Sequence, residues 1–248
     1  MSGKKRLIMV IYFAIVLSIG AWASAVSSVK ERISDSTSDF KDVVVHARVT
    51  YANAKALSEI SKDMPRSYNV KSSTLSFKYP DKMRMEGRVS VIKAVMIING
   101  DMKAIVIPGI HVISKRSIKG QPHMRQTELD LGILTRSLWN DYIVRSAEAE
   151  DSANGSVYKI VFVRSNALRR NLVVWADEKS LKMLKLEKHD EDGSMKVRYV
   201  FSDHHRVNGI WVPGRIDVYN RQGKLGATSM YEDIRVNSGL PDSLFKIN

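Results

Sequence analysis

The chain has 248 residues, 44% of them hydrophobic, and 39 Lys and Arg stand against 26 Asp and Glu for a formal charge of +13. That length can bury a real core, in one domain or two small ones. There is no cysteine, which excludes a disulfide framework, a thiolate nucleophile, a cysteine metal site and acylation at an N-terminal cysteine.

Residues 1–25 have the make-up of an export signal. Lys4-Lys5-Arg6 is a basic start, Leu7 to Ile19 an apolar core, and Ala23-Ser24-Ala25 a small-x-small cleavage site. The apolar run is shorter than the ~20 residues of a typical spanning helix. Cleavage after Ala25 is the expectation; retention of Leu7 to Ala25 as a tilted inner-membrane anchor is the alternative. Either places the chain outside the cytosol, and a disulfide-free domain of this size fits the bacterial periplasm. No Pro/Ser linker, repeat or low-complexity run divides residues 26–248, so they read as one domain.

Val26 to Ser38 reads as a short helix. Phe40 to Tyr51 alternates as a strand, with Val43, Val45, Ala47, Val49 and Tyr51 on one face. Ala52 to Met64 carries helix formers, with Pro65 just beyond. Lys71 to Tyr79 alternates through Leu75, Phe77 and Tyr79, and Pro80-Asp81 turns it into Met83 to Glu86. Val91 to Ile98 is a nearly continuous apolar strand, closed by Asn99-Gly100-Asp101 and answered by Lys103 to Ile107. The period then changes: Leu129, Ile133, Leu134 and Leu138 stand at helical spacing, so Gln121 to Asn140 is predicted to hold the main helix after the signal.

Tyr142 to Ala147 and Ser156 to Arg164 return to strand. From Asn171 to Asn220 runs an antiparallel meander of four or five strands, punctuated by Asp192-Gly193 and Asn208-Gly209. In it Val197, Tyr199 and Phe201 alternate with Lys196 and Arg198, the mark of a sheet with one dry face. Lys224 to Val236 is a last strand, and Pro241 to Phe245 a turn that inserts two apolar residues. About ten strands with two or three helices define a mainly β (α+β) fold. A sheet of that many twisted strands curls or closes, and the apolar helix would pack into its concavity as a lid.

Catalytic chemistry is not signalled. His204-His205 beside Asp203 invites a metal, but adjacent strand residues point to opposite faces. Asp190-Glu191-Asp192-Gly193 lacks the spacing of a calcium loop. His111 and His123 stand in loop-like sequence, and there is neither a Gly-x-Ser-x-Gly elbow nor a phosphate-cradling glycine loop. Asn154-Gly155-Ser156 is a glycosylation sequon in form and a turn in character. No enzyme activity, cofactor or metal is called for. The basic groups Lys115/Arg116/Lys119, Arg164/Arg169/Arg170 and Lys182/Lys185/Lys188 read either as a solvated cationic face or as attraction to anionic lipid head groups or an acidic partner. Nucleic acid does not fit an exported chain.

Several stretches together resemble the LolA-like superfamily of periplasmic outer-membrane lipoprotein carriers, which also takes in lipoprotein-sorting proteins and the sensor domain of a sigma-factor regulator. Phe77 to Glu86 (FKYPDKMRME) is similar to its strand-proline-strand motif, Val95 to Pro108 to the following hairpin, Asp177 to Tyr219 to the long meander, and Leu240 to Ile247 to the closing Leu-Phe tail. The resemblance implies an incomplete, strongly curved antiparallel β-barrel with a helical lid over an apolar cavity for acyl chains. The family's lid-holding arginine, immediately before the motif proline, is replaced here by Tyr79, and Met83 stands where an entrance aromatic is found. A monomeric carrier of lipoprotein acyl chains or phospholipid is implied, served by inner- and outer-membrane delivery proteins. An envelope sensor that binds a partner protein on the same scaffold is the alternative.

Lipid cargo has a physical case of its own. Burying an acyl chain is worth ~0.8 kcal/mol per methylene, and methionines repack around varied chains. The dry-face candidates are Phe77, Tyr79, Met83, Met85, Ile97, Val174, Val197, Tyr199 and Phe201, with Leu129, Ile133 and Leu138 as lid contacts; for each, ordinary core packing is the competing role.

Overall fold

The computed structural model describes residues 26–89, 91–108, 111–121, 125–152, 155–164 and 167–247. The segment expected to be an export signal, His123 and Asn154 lie outside the described residues, as do the side chains of His111, Arg164, Arg169 and Arg170. The chain opens with helix α1 (26–36), which buries Val29 and Ile33 one turn apart. Strand β1 (Asp42–Ala52) follows, then helices α2 (Ala54–Ser58) and α3 (Met64–Ser67). Asn53 caps α2, its side-chain oxygen accepting from the Ala56 amide at 3.1 Å.

Five strands form the first wing of the sheet: β2 (Ser72–Lys78), β3 (Lys82–Val89), β4 (Ile92–Asn99), β5 (Met102–Ile107) and β6 (His111–Ser117). After a crossing segment that ends in helix α4 (Leu138–Asp141) come β7 (Tyr142–Ser152), β8 (Gly155–Arg164), β9 (Ala167–Asp177), β10 (Met183–His189) and β11 (Met195–Ser202). A separate two-stranded ribbon, β12 (His205–Val207) and β13 (Ile210–Val212), turns through Asn208 and Gly209; β14 (Arg215–Asn220) and β15 (Leu225–Val236) complete the chain's strands.

Thirteen strands make one antiparallel sheet in the order β6-β5-β4-β3-β2-β1-β15-β14-β11-β10-β9-β8-β7. Within the described residues β6 and β7 are its unjoined edges, so it is an open, curved barrel. The two wings meet where β1 pairs with β15, from Val43 opposite Val236 to Ala52 opposite Ala227. Two register shifts interrupt that pairing, and such bulges bend and twist a sheet.

Inside the curve, paired positions line up as rows because opposed residues share a face. Val43, Phe77, Met83 and Ile98 form one buried row across β1 to β4. Ile160, Val174, Leu186, Tyr199 and Val218 form another across β8, β9, β10, β11 and β14.

The crossing segment departs from the predicted long helix. It holds one 3₁₀ turn, Glu128–Leu131, and the four-residue α4, with irregular backbone between. Leu129, Leu131, Ile133, Leu134 and Leu138 are all buried, so this stretch has no wet face to sustain an amphipathic helix. Gly132 ends the first turn in the left-handed region, at φ 81°.

Ile97 also departs from its expected face. It pairs with Arg84 and Ala104 on the convex side, where it packs with Val95 and Phe245. β4 is buried on both faces, and a continuous apolar run does not reveal which residue points inward. The covering element is the C-terminal tail, whose 3₁₀ turn Asp242–Phe245 inserts a fully buried Phe245. Asp242 pairs with Lys78 at 2.7 Å and Lys82 at 3.0 Å, and Arg84 donates to the Leu244 carbonyl at 3.1 Å. Phe245→Ala is expected to cost about 3–5 kcal/mol in urea unfolding, the range for emptying a buried phenylalanine site; a loss below about 1 kcal/mol would mean that the tail is not part of the cooperative core.

Candidate functional site

The concave face and the strap that crosses it, residues 125–141, form the candidate site. Of the residues singled out in the sequence, Phe77, Met83, Val174, Val197 and Phe201 are buried on this face, together with Leu129, Ile133 and Leu138 of the strap. Tyr79 and Tyr199 are half-buried against the same core. Met85 shares the face of Met83 by alternation and pairs with Leu75 and Met96, but it is only half-buried.

An aromatic contact fixes the C-terminal end of the strap: Trp139 stacks on Phe162 with ring centres 6.1 Å apart. Phe40 stacks on Phe77 at the same separation within the first wing. The Trp139 indole donates to Ser34 of α1 at 2.9 Å. At Tyr79 a cation comes from the strap: the Arg136 guanidinium lies 5.2 Å over the Tyr79 ring.

Polar contacts hold the middle. Lys188 donates to Asp130 at 2.6 Å. Leu186 and Lys188 share a face of β10, so Lys188 points inward, opposite Leu172 and Val197, and away from Lys185. Its ammonium is held well above the ordinary lysine range by Asp130, against the cost of burial. Burial, reinforced by the Asp130 charge, pushes the hydroxyls of Tyr68 and Tyr231 up as well. From the other wing Lys103 donates to Gln126 at 2.9 Å, and Arg125 pairs with Asp101 at 2.8 Å. The strap is therefore tied by charge to β5 on one side and to β10 on the other.

Glu128 lies beneath it, 1% exposed, accepting from the Thr135 hydroxyl, which also meets Ser137 at 2.9 Å. Burial raises its carboxyl from 4.5 to about 7, and the Thr135 bond opposes part of that rise.

The strap sits tightly. A β-carbon at Gly132 would fall 2.6 Å from Pro213 and 2.8 Å from Phe201. Among the described residues the gaps beside it are small. One of about 120 Å³ lies between Phe77, Glu128, Leu138 and Tyr142, and one of about 100 Å³ between Ile33, Leu134, Met183 and Ile210.

Lys188, Asp130, Glu128 and Arg136 are the residues that strand and helix patterns did not single out. Alternation from Leu186 was the one signal for Lys188; spacing alone grouped it with Lys182 and Lys185. Those two stay outside, over Trp211 at 5.7 Å and over Trp175 at 3.3 Å. His204 donates to the Met183 carbonyl at 2.8 Å. No described helix is long and apolar enough to cross a membrane.

An open curved antiparallel barrel with a covering segment is the LolA-like architecture, and solved structures share it. A LolA superfamily protein from Nitrosomonas europaea superposes with a TM-score of 0.58 at 14% identity, over 90% of this chain and 98% of that one. A domain named for outer-membrane lipoprotein sorting from Vibrio parahaemolyticus gives 0.57 at 14% identity, over 89% of this chain and 94% of that one. A DUF1329 family protein from Desulfovibrio piger gives 0.55 at 13% identity, over 90% and 97%. At these identities the likeness is one of fold. A comparison with curated proteins finds no match. A family model described as "-like: Uncharacterized protein" matches residues 125–248, and the chain belongs to that family.

Glu128 predicts a pH dependence. The folded state binds its proton more tightly than the unfolded chain does, so stability is greatest below about pH 4.5 and falls as pH rises to about 7. The cost on the alkaline side is about 3 kcal/mol. Glu128→Gln keeps an acceptor for Thr135 and cannot ionise. Its melting temperature is expected to exceed that of the wild type at pH 8 and to match it at pH 5; parallel pH profiles would rule out a buried ionising Glu128.

Proposed function

We propose that the chain is a non-enzymatic periplasmic carrier, which binds acyl chains of lipoproteins or lipids on the concave face and moves them toward the outer membrane. The strap is the part displaced, and the manner of its attachment carries this reading. A permanent core plug would be held by apolar packing alone. This strap is held at its centre by the Lys188 to Asp130 ion pair and the Lys103 to Gln126 bond. Both side chains stay partly exposed, 35% and 28%, and a solvent-screened pair of this kind is worth only about 0–1 kcal/mol, so such a fastening adds little net resistance to opening. Beneath it lie Phe77, Met83, Val174, Val197 and Phe201. About ten methylenes on that surface would contribute roughly 8 kcal/mol.

The second reading is an envelope interaction domain on the same scaffold. The small size of the gaps beside the strap favours it, because ligand pockets usually measure about 300–1,000 Å³ and these gaps reach only about 120 Å³.

Uptake of a fluorescent fatty acid, with native mass spectrometry of the loaded protein, separates the two. Asp130→Asn unfastens the strap and strands the Lys188 charge, so it is expected to raise uptake several-fold while circular dichroism stays native. Phe77→Asp is expected to abolish uptake. A native fold with no uptake in either the wild type or Asp130→Asn would remove the carrier and leave the interaction domain.

A further inference from the structure

The end of the sheet built by β1, β2 and the β3–β4 hairpin carries a second feature, remote from the strap. A cleft of about 500 Å³ there is lined by His46, Lys71, Ser72, Thr74, Arg88 and Lys93, with one carboxylate, Glu86. Glu86 is already used: Lys93 reaches it at 2.6 Å and Arg84 at 2.5 Å. Neither Lys71 nor Arg88 has a carboxylate partner among the described residues, and both side chains are exposed. Arg88 also stands directly opposite Lys93 in the register, an arrangement of like charges that costs stability in a bare sheet. The Ser72 hydroxyl and the His46 ring, 3.0 Å apart, add hydrogen-bonding groups to the cleft. Gly87 lets its wall form, because a β-carbon there would fall 2.4 Å from Val70.

Apolar side chains project from the same end. Val91 at the hairpin tip is 88% exposed, Ile92 49%, and Tyr51 at the end of β1 44%. Val91 and Ile92 are adjacent, and they set an apolar tip directly beside the cations of the cleft. An anionic lipid surface suits both: phosphates meet the cations, and the apolar tip enters the boundary between head groups and acyl chains. A soluble anion would explain the cleft but not Val91 and Ile92, and an apolar protein surface would explain the tip but not the unpaired charge.

We propose that this end of the sheet is a docking surface for the phosphate-bearing face of an anionic membrane, with Lys71 and Arg88 as the head-group contacts and Val91 and Ile92 as the inserted tip. It does not rest on acyl-chain binding at the concave face, and vesicle binding and fatty-acid uptake are separate readouts.

Flotation with phosphatidylcholine vesicles, with and without phosphatidylglycerol, tests it on the protein as recovered from cells. Binding is expected only when phosphatidylglycerol is present, and salt should weaken it. Lys71→Gln with Arg88→Gln should weaken it about thirtyfold. Val91→Asp should weaken it as well. Lys115→Gln with Arg116→Gln, which removes the same charge from two exposed positions of the edge strand β6, should leave it within about twofold. Equal loss in that control would reduce the effect to bulk charge and overturn the proposal. So would equal binding to neutral vesicles, or saturable binding of inorganic phosphate with no vesicle binding. Both double variants change exposed side chains, and thermal unfolding checks that each remains folded.

Discussion

The pairing of β1 with β15 is the constraint on which the remaining structure depends. It joins the first strand of the sheet to the last, across nearly the whole chain. It turns two local runs of hairpins, β2 to β6 and β7 to β14, into wings of a single surface. The junction is reinforced by the buried Asp42, whose carboxylate accepts from the Ser238 amide at 2.7 Å, the Ser238 hydroxyl at 2.9 Å and the Gly239 amide at 3.0 Å. Charge-assisted bonds of this kind are among the stronger ones in a protein. Long-range pairing of this sort closes its loop only after the intervening hairpins exist, so the curvature of the barrel is a late and collective property.

That curvature creates the problem the strap solves. An open sheet with Phe77, Met83, Val174 and Phe201 on its inner face must cover them, and the chain uses its own residues 125–141 to do so. The cover is apolar at Leu129, Leu131, Ile133 and Leu138 and charged at Asp130 and Glu128. This mixture is the physically informative point. Apolar contacts stabilise any closed arrangement, whereas the Lys188 to Asp130 pair has a direction and a register, so it selects this one. The Arg136 to Tyr79 contact places a cation and its receptor across the same gap between strap and sheet.

The two ends of the molecule ask for different chemistry from one fold. The interior is dry and needs only area. The cleft beside the β3–β4 hairpin is wet and needs charge, which it holds in excess because Glu86 is shared by two cations while Lys71 and Arg88 are left over.

Sequence alone determined the likeness to lipoprotein carriers and most of the strands and turns, though not the edge strand β6, which reads as loop. A period of two is written into each β segment by the pleat, and Asp192-Gly193 and Asn208-Gly209 mark turns by backbone chemistry. Phe77, Met83, Val174, Val197 and Phe201 were legible as dry-face residues for that reason. Tertiary structure decided the rest. Ile97 stands on a strand buried on both sides, so only the position of Phe245 shows that it faces outward. Leu129, Ile133 and Leu138 have helical spacing, yet burial on all sides breaks the helix into a 3₁₀ turn and a single short helix. Lys188 looked like one more surface cation until pairing with Val197 turned it inward toward Asp130. Periodicity records how a segment meets its neighbours, and it does not record which distant segment that neighbour is.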